Sequence, residues 1–382
     1  MRQKGVVRLL LATGISAVVL GPLSATGWLE PLHLALYDRV LQLDQAVNGS
    51  GDTGDVLLVT IGDRTLKHIP ERWPFPRAVF AKAVSNLKKA GAKVIAIDFI
   101  FQGRSDPEDD RILKEALAGN PPVVLGATLD EESGSGVALS EVHQDALWGL
   151  ATKLRDRDGV IRKSLTYLVA AREDAKGVLS WELQVLRCAT KIDVPSLTAE
   201  EGQVSFNVPD GERLRIPVDT HTSSFWIRYR AHSADFSQLP FYQAWKGDFD
   251  ADLVKDKVVL IGLFSERFHD VDRTPIGWMP GLTLNANAFL TLYRRDFIKD
   301  VPWPYVLSVN FALVSLFAWI ASFCRTRRLV GLGAASILLF LAASYGLLTQ
   351  GYLWDYALFP VGMPLAVLFM RKIRSIKGLF QP

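Results

Sequence analysis

The sequence predicts an α/β extracytoplasmic domain with a mainly parallel sheet and a β-rich insertion, plus an all-α membrane region of four transmembrane helices. Three observations predict it. Long apolar runs stand at the N-terminus and, three times over, beyond Pro304. Between residues 56 and 127, short apolar runs alternate with amphipathic helical patterns. From about residue 204 to 229 that alternation gives way to short runs separated by turn residues.

A span needs roughly 20 apolar residues to cross ~30 Å of hydrocarbon. Leu9–Leu29, Pro304–Phe323, Leu329–Leu348 and Tyr352–Met370 meet that length. They bound an N-terminal helix through residue 29, an extracytoplasmic domain over 30–302, three transmembrane helices over 303–370 and a short basic tail over 371–382. The charged start and Ala25-Thr26-Gly27 also fit a cleaved signal peptide. The length of the run favours a retained helix, and either reading leaves the large domain outside.

Orientation follows from Lys and Arg, which are retained on the cytoplasmic side. Arg2, Lys4 and Arg8 precede the first run, Arg325, Arg327 and Arg328 lie between the second and third, and Arg371, Lys372, Arg374 and Lys377 follow the last. Thr349–Leu353 carries no basic residue. Both termini are therefore expected in the cytoplasm, with Arg294, Arg295 and Lys299 opposing that bias and Asp296 and Asp300 interleaving them.

Within the outer domain, Val56–Ile61, Lys93–Ile97 and Pro122–Ala127 read as buried strands. Arg77–Ala90 and Asp109–Ala118 read as the helices between them, which is the order of a parallel, doubly wound unit. Asp106-Pro107 supplies an N-cap and a first-turn proline for the second helix. Val204–Val208, Leu214–Val218 and Ser224–Tyr229 suggest an antiparallel insertion with a hairpin. Lys257–Leu263 returns to the buried-strand pattern, and Thr283–Tyr293 to helix.

A net charge of +3, much of it in the membrane-flanking clusters, gives no basic field for nucleic acid. The two cysteines, Cys188 and Cys324, fall in different parts of the chain and cannot pair with each other, so the outer domain must rest on its core. Cys188 shares an apolar helical face with Trp181, Val185 and Ala189 and reads as packing.

Ligands of open parallel sheets bind beyond the carboxyl ends of the strands. Asp63, Asp98 and Arg104 sit just past strand ends on this reading, and Arg77 opens the helix after Asp63. Such an edge would hold a small polar or zwitterionic ligand. The alternative is that Arg77 and one of the aspartates form a structural ion pair. Asp270, Asp272 and Arg273 complete the candidate set. His269-Asp270-Val271-Asp272 invites a metal reading, but no further His or Cys stands at supporting spacing, and Asp272–Pro275 reads better as a capped turn. No metal or cofactor is expected. No nucleophile elbow, H-E-x-x-H, Walker A or C-x-x-C is present, and no enzyme is expected.

The domain resembles the CHASE2 family, the extracellular sensory module of bacterial membrane receptors. The resemblance rests on Leu34–Asp38, Ile61-Gly62-Asp63, Trp73-Pro-Phe-Pro-Arg77, Gly91–Phe99, Asp106 with Asp109-Asp110, and Arg157–Arg162. It continues through Ile216–Asp219, Lys257–Gly262, Asp270–Pro275, Pro280-Gly281 and Asn285–Ala288. In two respects the chain departs from the family's pattern: Gly62 replaces the first of two acids, and no cytoplasmic kinase or cyclase domain follows before Pro382. In a bacterial family Asn48-Gly-Ser50 reads as a turn rather than a glycosylation site.

The resemblance implies a sensor in the bacterial cytoplasmic (inner) membrane, with its large domain in the periplasm. Such a sensor would bind a small extracellular ligand and signal to a separate cytoplasmic or membrane partner. Contact with membrane lipid is expected, and homo-oligomers are compatible with the sequence. A non-catalytic scaffold subunit of an envelope complex is the competing function. Transport is disfavoured because the spans carry only Arg8 and Asp355, both near their ends.

Overall fold

Strands that are apolar at every position cannot leave either face to water, and this chain has several. In the computed structural model they form the centre of one sheet. The described residues are 2–101, 105–129, 137–144, 146–168, 178–192, 198–200, 202, 203–208, 211–324 and 326–379. Six strands build the sheet: β1 (Val56–Ile61), β2 (Val94–Asp98), β3 (Val123–Leu129), β4 (Leu147–Leu150), β5 (Ser237–Pro240) and β6 (Val258–Leu263). Their order is β5-β1-β6-β2-β3-β4 and every one of these pairings is parallel. Val137–Ala138 adds an antiparallel pair at the end of β3.

The late apolar run therefore does more than return to the starting sheet. β6 inserts between β1 and β2, pairing Leu58 with Leu260 and Ala96 with Leu260 on its two sides. Its first five residues, through Gly262, are buried. All the strands release their carboxyl ends at one edge.

Helices cover both faces. On one, α1 (Arg77–Lys89) and α2 (Pro107–Leu117) bury Phe80, Val84, Leu87 and Leu113 against Val59, Ile97, Leu125 and Ile261. The α2 start is built as its sequence suggests: Asp106 accepts from the Glu108 N–H at 2.8 Å, with Pro107 in the first turn. The other face carries α3 (Trp181–Thr190) and α4 (Gly281–Tyr293). All but the last residue of α4 are buried, among them Thr283, Asn285, Asn287 and Thr291. Buried amides and hydroxyls require partners, and these point to what α4 connects.

The β-rich excursion is real but divided. Thr198–Glu200, Gln203–Asn207 and Arg213–Pro217 make one antiparallel sheet, whereas Ser224–Trp226 pairs with Lys163–Leu165 in another. Asp272–Thr274, expected in a capped turn, instead lies in the strand Val271–Thr274, paired with Gly277–Pro280. The turn falls at Pro275 and Ile276.

The chain separates into two compact units, Gln45–Phe297 and a second made of Met1–Asp44 with Ile298–Pro382. In the second unit, four membrane-length helices were expected and, among the described residues, two are long and apolar enough by themselves, Trp303–Ala321 (α5) and Arg328–Thr349 within α6 (Thr326–Thr349). The first run is interrupted. Leu10–Ala25 reaches spanning length only together with Glu30–Asn48, across an 83° bend.

The last run is shortened by its own sequence. Tyr352 and Leu353 leave the helix to pair with Lys299 and Asp300, and the Asp355 carboxylate accepts from the Ala357 and Leu358 N–H groups at 2.8 and 2.7 Å. Helix α7 (Leu358–Leu379) thus starts six residues late. At 1.5 Å per residue its apolar part, Leu358–Met370, covers about 20 Å. It packs with Arg2–Ala25 and α5 around Leu20, Val314, Met363 and Ala366. Gly362 permits this approach, since a Cβ there would lie 2.5 Å from Leu20 Cδ2.

Candidate functional site at the carboxyl edge of the sheet

Asp63, Arg77 and Asp98 are all carried by elements at the carboxyl edge, and among the described residues each has a different charged or polar partner. The reason is β6, which separates the ends of β1 and β2. Asp63, exposed, faces Arg267 at 3.6 Å and accepts from Ser265 Oγ at 3.3 Å. Arg77 is buried and bonds Asp110 at 2.5 Å, tying the first turn of α1 to that of α2. It is thus a structural ion pair, with a partner from α2 rather than from a strand end. Arg104 lies outside the described residues.

Asp98 has the most developed surroundings. It ends β2, and alternation along the strand sends its side chain toward α4 while Phe99 turns toward α1. Asn285 Nδ2 donates to Asp98 Oδ2 at 2.6 Å. Gly262 of β6 faces Asp98 Cβ and Leu282 so closely that its own Cβ would sit 3.3 Å from one and 3.0 Å from the other. Asp270 lies against the first residue of α4. A Cβ on Gly281 would be 2.6 Å from Asp270 Oδ1, and the Gly281 N–H donates to the Asp270 carbonyl at 3.1 Å.

Lys153 and Glu182 form the third side. They make a close ion pair, with side chains 8% and 0% exposed, which is the burial at which a charge survives only with a partner. Glu182 is in the first turn of α3, capped by Ser180 Oγ accepting from the Leu183 N–H. α3 comes this near because β4 has Gly149, whose Cβ would fall 2.7 Å from Trp181 Cα.

The electrostatics follow from that crowding. Burial pushes Asp98 up to about 7, with the charges of Asp270 and Glu182 adding to the rise and Lys153 and Asn285 opposing it. Burial, then the charge of Asp272, raises Asp270 as well. A carboxyl raised like that of Asp98 exchanges a proton near neutrality, or accepts a cationic group, with little change in its surroundings.

Asp272 points elsewhere, pairing with Arg155 at 2.5 Å, and Arg273 is exposed while its backbone receives Ile161. Neither joins Asp98. Beside Asp63 the edge is aromatic: Trp73 stands 5.6 Å from Phe99 and 5.0 Å from Phe268.

Asn285, Lys153 and Glu182 escaped the sequence reading as site residues. Asn285 had a signal, being a polar residue on the inner side of an otherwise apolar helix. Lys153 and Glu182 had none, because their pairing depends on how β4 brings α3 to the sheet.

An open parallel sheet with helices on both faces defines an α/β domain, with its acidic cluster at the strand ends, where ligands of such sheets bind. The CHASE2 domain matches residues 14–324, and the chain belongs to the CHASE2 family. This is a sensory extracellular domain family, and together with the two membrane-length helices it marks a membrane protein. No curated protein and no solved structure gave a significant match.

Proposed function

We propose that the chain is a non-catalytic extracytoplasmic sensor of the bacterial inner membrane. A stimulus received at the carboxyl edge of the sheet biases the membrane helices, and a separate polypeptide reads that bias at the cytoplasmic face. The observation that carries this reading is the family match over residues 14–324. The Asp98, Asp270, Glu182 and Lys153 cluster supports the choice of edge, and its acids suit a small ligand bearing an amine. Transmission requires only that the ligand bind two arrangements with different affinity. The basic segments Arg325–Arg328 and Arg371–Lys377 are the proposed contacts for the partner and for anionic lipid.

The test is purification of the full chain from native membranes, wild type beside Asp98→Asn, with identification of what accompanies each. Recovery of a signalling protein whose association changes in Asp98→Asn is the expected result. A composition unaffected by Asp98→Asn in every growth condition would sink the reading.

A docking subunit is the second reading. It is favoured by Trp278, 73% exposed in the strand Gly277–Pro280, since large exposed aromatics serve as interface anchors. Loss of a co-purifying envelope protein in Trp278→Ala, with Asp98→Asn unchanged, would favour it.

A further inference from the structure

At the opposite edge of the same sheet, the first and last segments of the Gln45–Phe297 unit meet around a second cluster. Gly51, Asp52 and Thr53 lead into β1, and Arg294 and Asp296 follow α4. Arg228 and Arg230 complete the wall of a cleft of about 30 Å³. That is room for one small polar group rather than a whole metabolite.

Three guanidinium groups converge here. Arg228, its side chain 1% exposed, and Arg230 both reach Asp296, at 3.4 and 2.7 Å. Arg294 reaches Asp52 at 3.0 Å and Asp55 at 3.2 Å. α4 fixes the arginines from behind: Thr291 Oγ1 accepts from the Arg228 N–H at 2.9 Å, and Asn287 Oδ1 from the Arg230 N–H at 3.1 Å. The backbone that carries Arg228 and Arg230 is thus held by buried polar side chains of α4.

Asp52 is 78% exposed and stands at the mouth, an acid that an incoming oxyanion can replace on Arg294. Planar forks on a rigid backing recognise phosphate oxygens in pairs.

We propose that this cleft binds a phosphate group, with Arg230 and Arg294 as its principal ligands, Arg228 supplying buried positive charge and Asp52 competing for the same position. The chemistry is the same for free phosphate and for the headgroup of an anionic phospholipid. Either would clamp the incoming segment Gly51–Thr53 to the outgoing segment Arg294–Asp296. This site is independent of the stimulus edge proposed above and stands or falls separately.

The experiment uses the full chain. In a zwitterionic detergent, inorganic phosphate is titrated calorimetrically; in lipid discs, the unfolding midpoint is compared with and without phosphatidylglycerol in phosphatidylcholine. Arg230→Gln and Arg294→Gln are expected to weaken binding about tenfold or to abolish the lipid-dependent shift, the scale of a lost charge-assisted pair. Asp52→Asn, changing an exposed side chain, is expected to tighten it. Binding in detergent identifies free phosphate as the source, and a response confined to phosphatidylglycerol discs identifies the lipid. Where a glutamine variant elutes as aggregate, Arg230→Lys keeps the charge and loses the fork, and is expected to weaken binding. The proposal is overturned if wild type responds to neither ligand, or if the folded arginine variants and Asp52→Asn respond as wild type does.

Discussion

Asn285 reaches from the buried face of α4 to donate to Asp98 at the end of β2, at 2.6 Å. This bond joins the acidic edge of the sheet to a helix whose other polar residues, Asn287 and Thr291, hold the backbones of Arg230 and Arg228 at the opposite edge. One helix thus carries hydrogen bonds to both ends of the domain. A shift of Asp98 has a direct mechanical neighbour in α4.

Asp98 should make stability fall as pH rises. Its pKa of about 7 in the folded chain lies above the ordinary value near 3.8. Between those values the native state holds a proton that the unfolded chain has released, so stability decreases through the window and levels off above it. Asp98→Asn removes this contribution and should be the more stable protein above pH 7, by an amount on the order of a few kcal/mol. Thermal unfolding from pH 5 to 8 checks it, and any contribution from Asp270, which is also raised, has the same sign. Equal slopes for wild type and Asp98→Asn would refute the assignment.

The midpoint of that pH response should move with its neighbours. Glu182→Gln removes a negative charge that raises Asp98, and should shift the midpoint down. Lys153→Met removes a positive charge that lowers it, and should shift the midpoint up. Movement of both variants in one direction would mean that repacking, not charge, governs the site.

Arg77 and Asp110 are buried together, so removing one partner strands the other. Arg77→Ala is expected to cost about 3–5 kcal/mol, whereas Arg77→Met with Asp110→Leu should cost much less. Urea denaturation of the two single variants and the double variant gives the comparison. A double variant as unstable as the worse single one would show that the pair contributes more than charge neutralisation.

The sheet was legible because its strands are apolar on both faces, and only a sheet covered by helices accommodates such runs. The start of α2 was legible from Asp106-Pro107, whose local chemistry is complete within three residues. What could not be read was the position of β6, because a parallel strand added late in the chain leaves no local mark of which gap it enters. That insertion puts β6 between the strands that lead to Asp63 and Asp98, which the expected cluster of Asp63, Arg77 and Asp98 had taken as neighbours. The number of membrane-length helices differed for another reason. A hydropathy run sees Tyr352–Met370 as uniform, whereas Asp355 uses its carboxylate to start a helix inside it.

Two glycines should respond unequally to alanine. At Gly149 the added Cβ meets backbone atoms of Ser180 and Trp181 at 2.7 to 2.8 Å, so α3 itself must move. At Gly281 its three nearest atoms belong to the carboxylate of Asp270, a side chain that can rotate rather than backbone. Gly149→Ala is expected to destabilise by roughly 1–3 kcal/mol and Gly281→Ala by less. Gly281→Ala should still alter the pH response, because it displaces Asp270 from its place near Asp98. Thermal melts at two pH values would separate these effects, and a larger loss for Gly281→Ala would contradict the packing argument.

The shortened helix α7 sets the last prediction. Its apolar part covers about 20 Å of a hydrocarbon layer of ~30 Å, yet Leu358, Met363, Ala366 and Met370 are buried against neighbouring helices. A helix sheathed by protein on its inner side has less hydrocarbon to match, and Arg371 and Lys372 at its far end can extend toward the headgroups. α7 is therefore expected to cross the membrane as a short inner helix. Reporter fusions after Gly351 and after Leu379 should give opposite signals, with the latter cytoplasmic. Lengthening should be tolerated and interruption should not: Ala366→Arg places a charge among buried side chains and should abolish membrane insertion of the C-terminal part, whereas Leu368→Arg, at an exposed position, should cost less. Identical reporter signals at both fusion points would show that α7 does not cross.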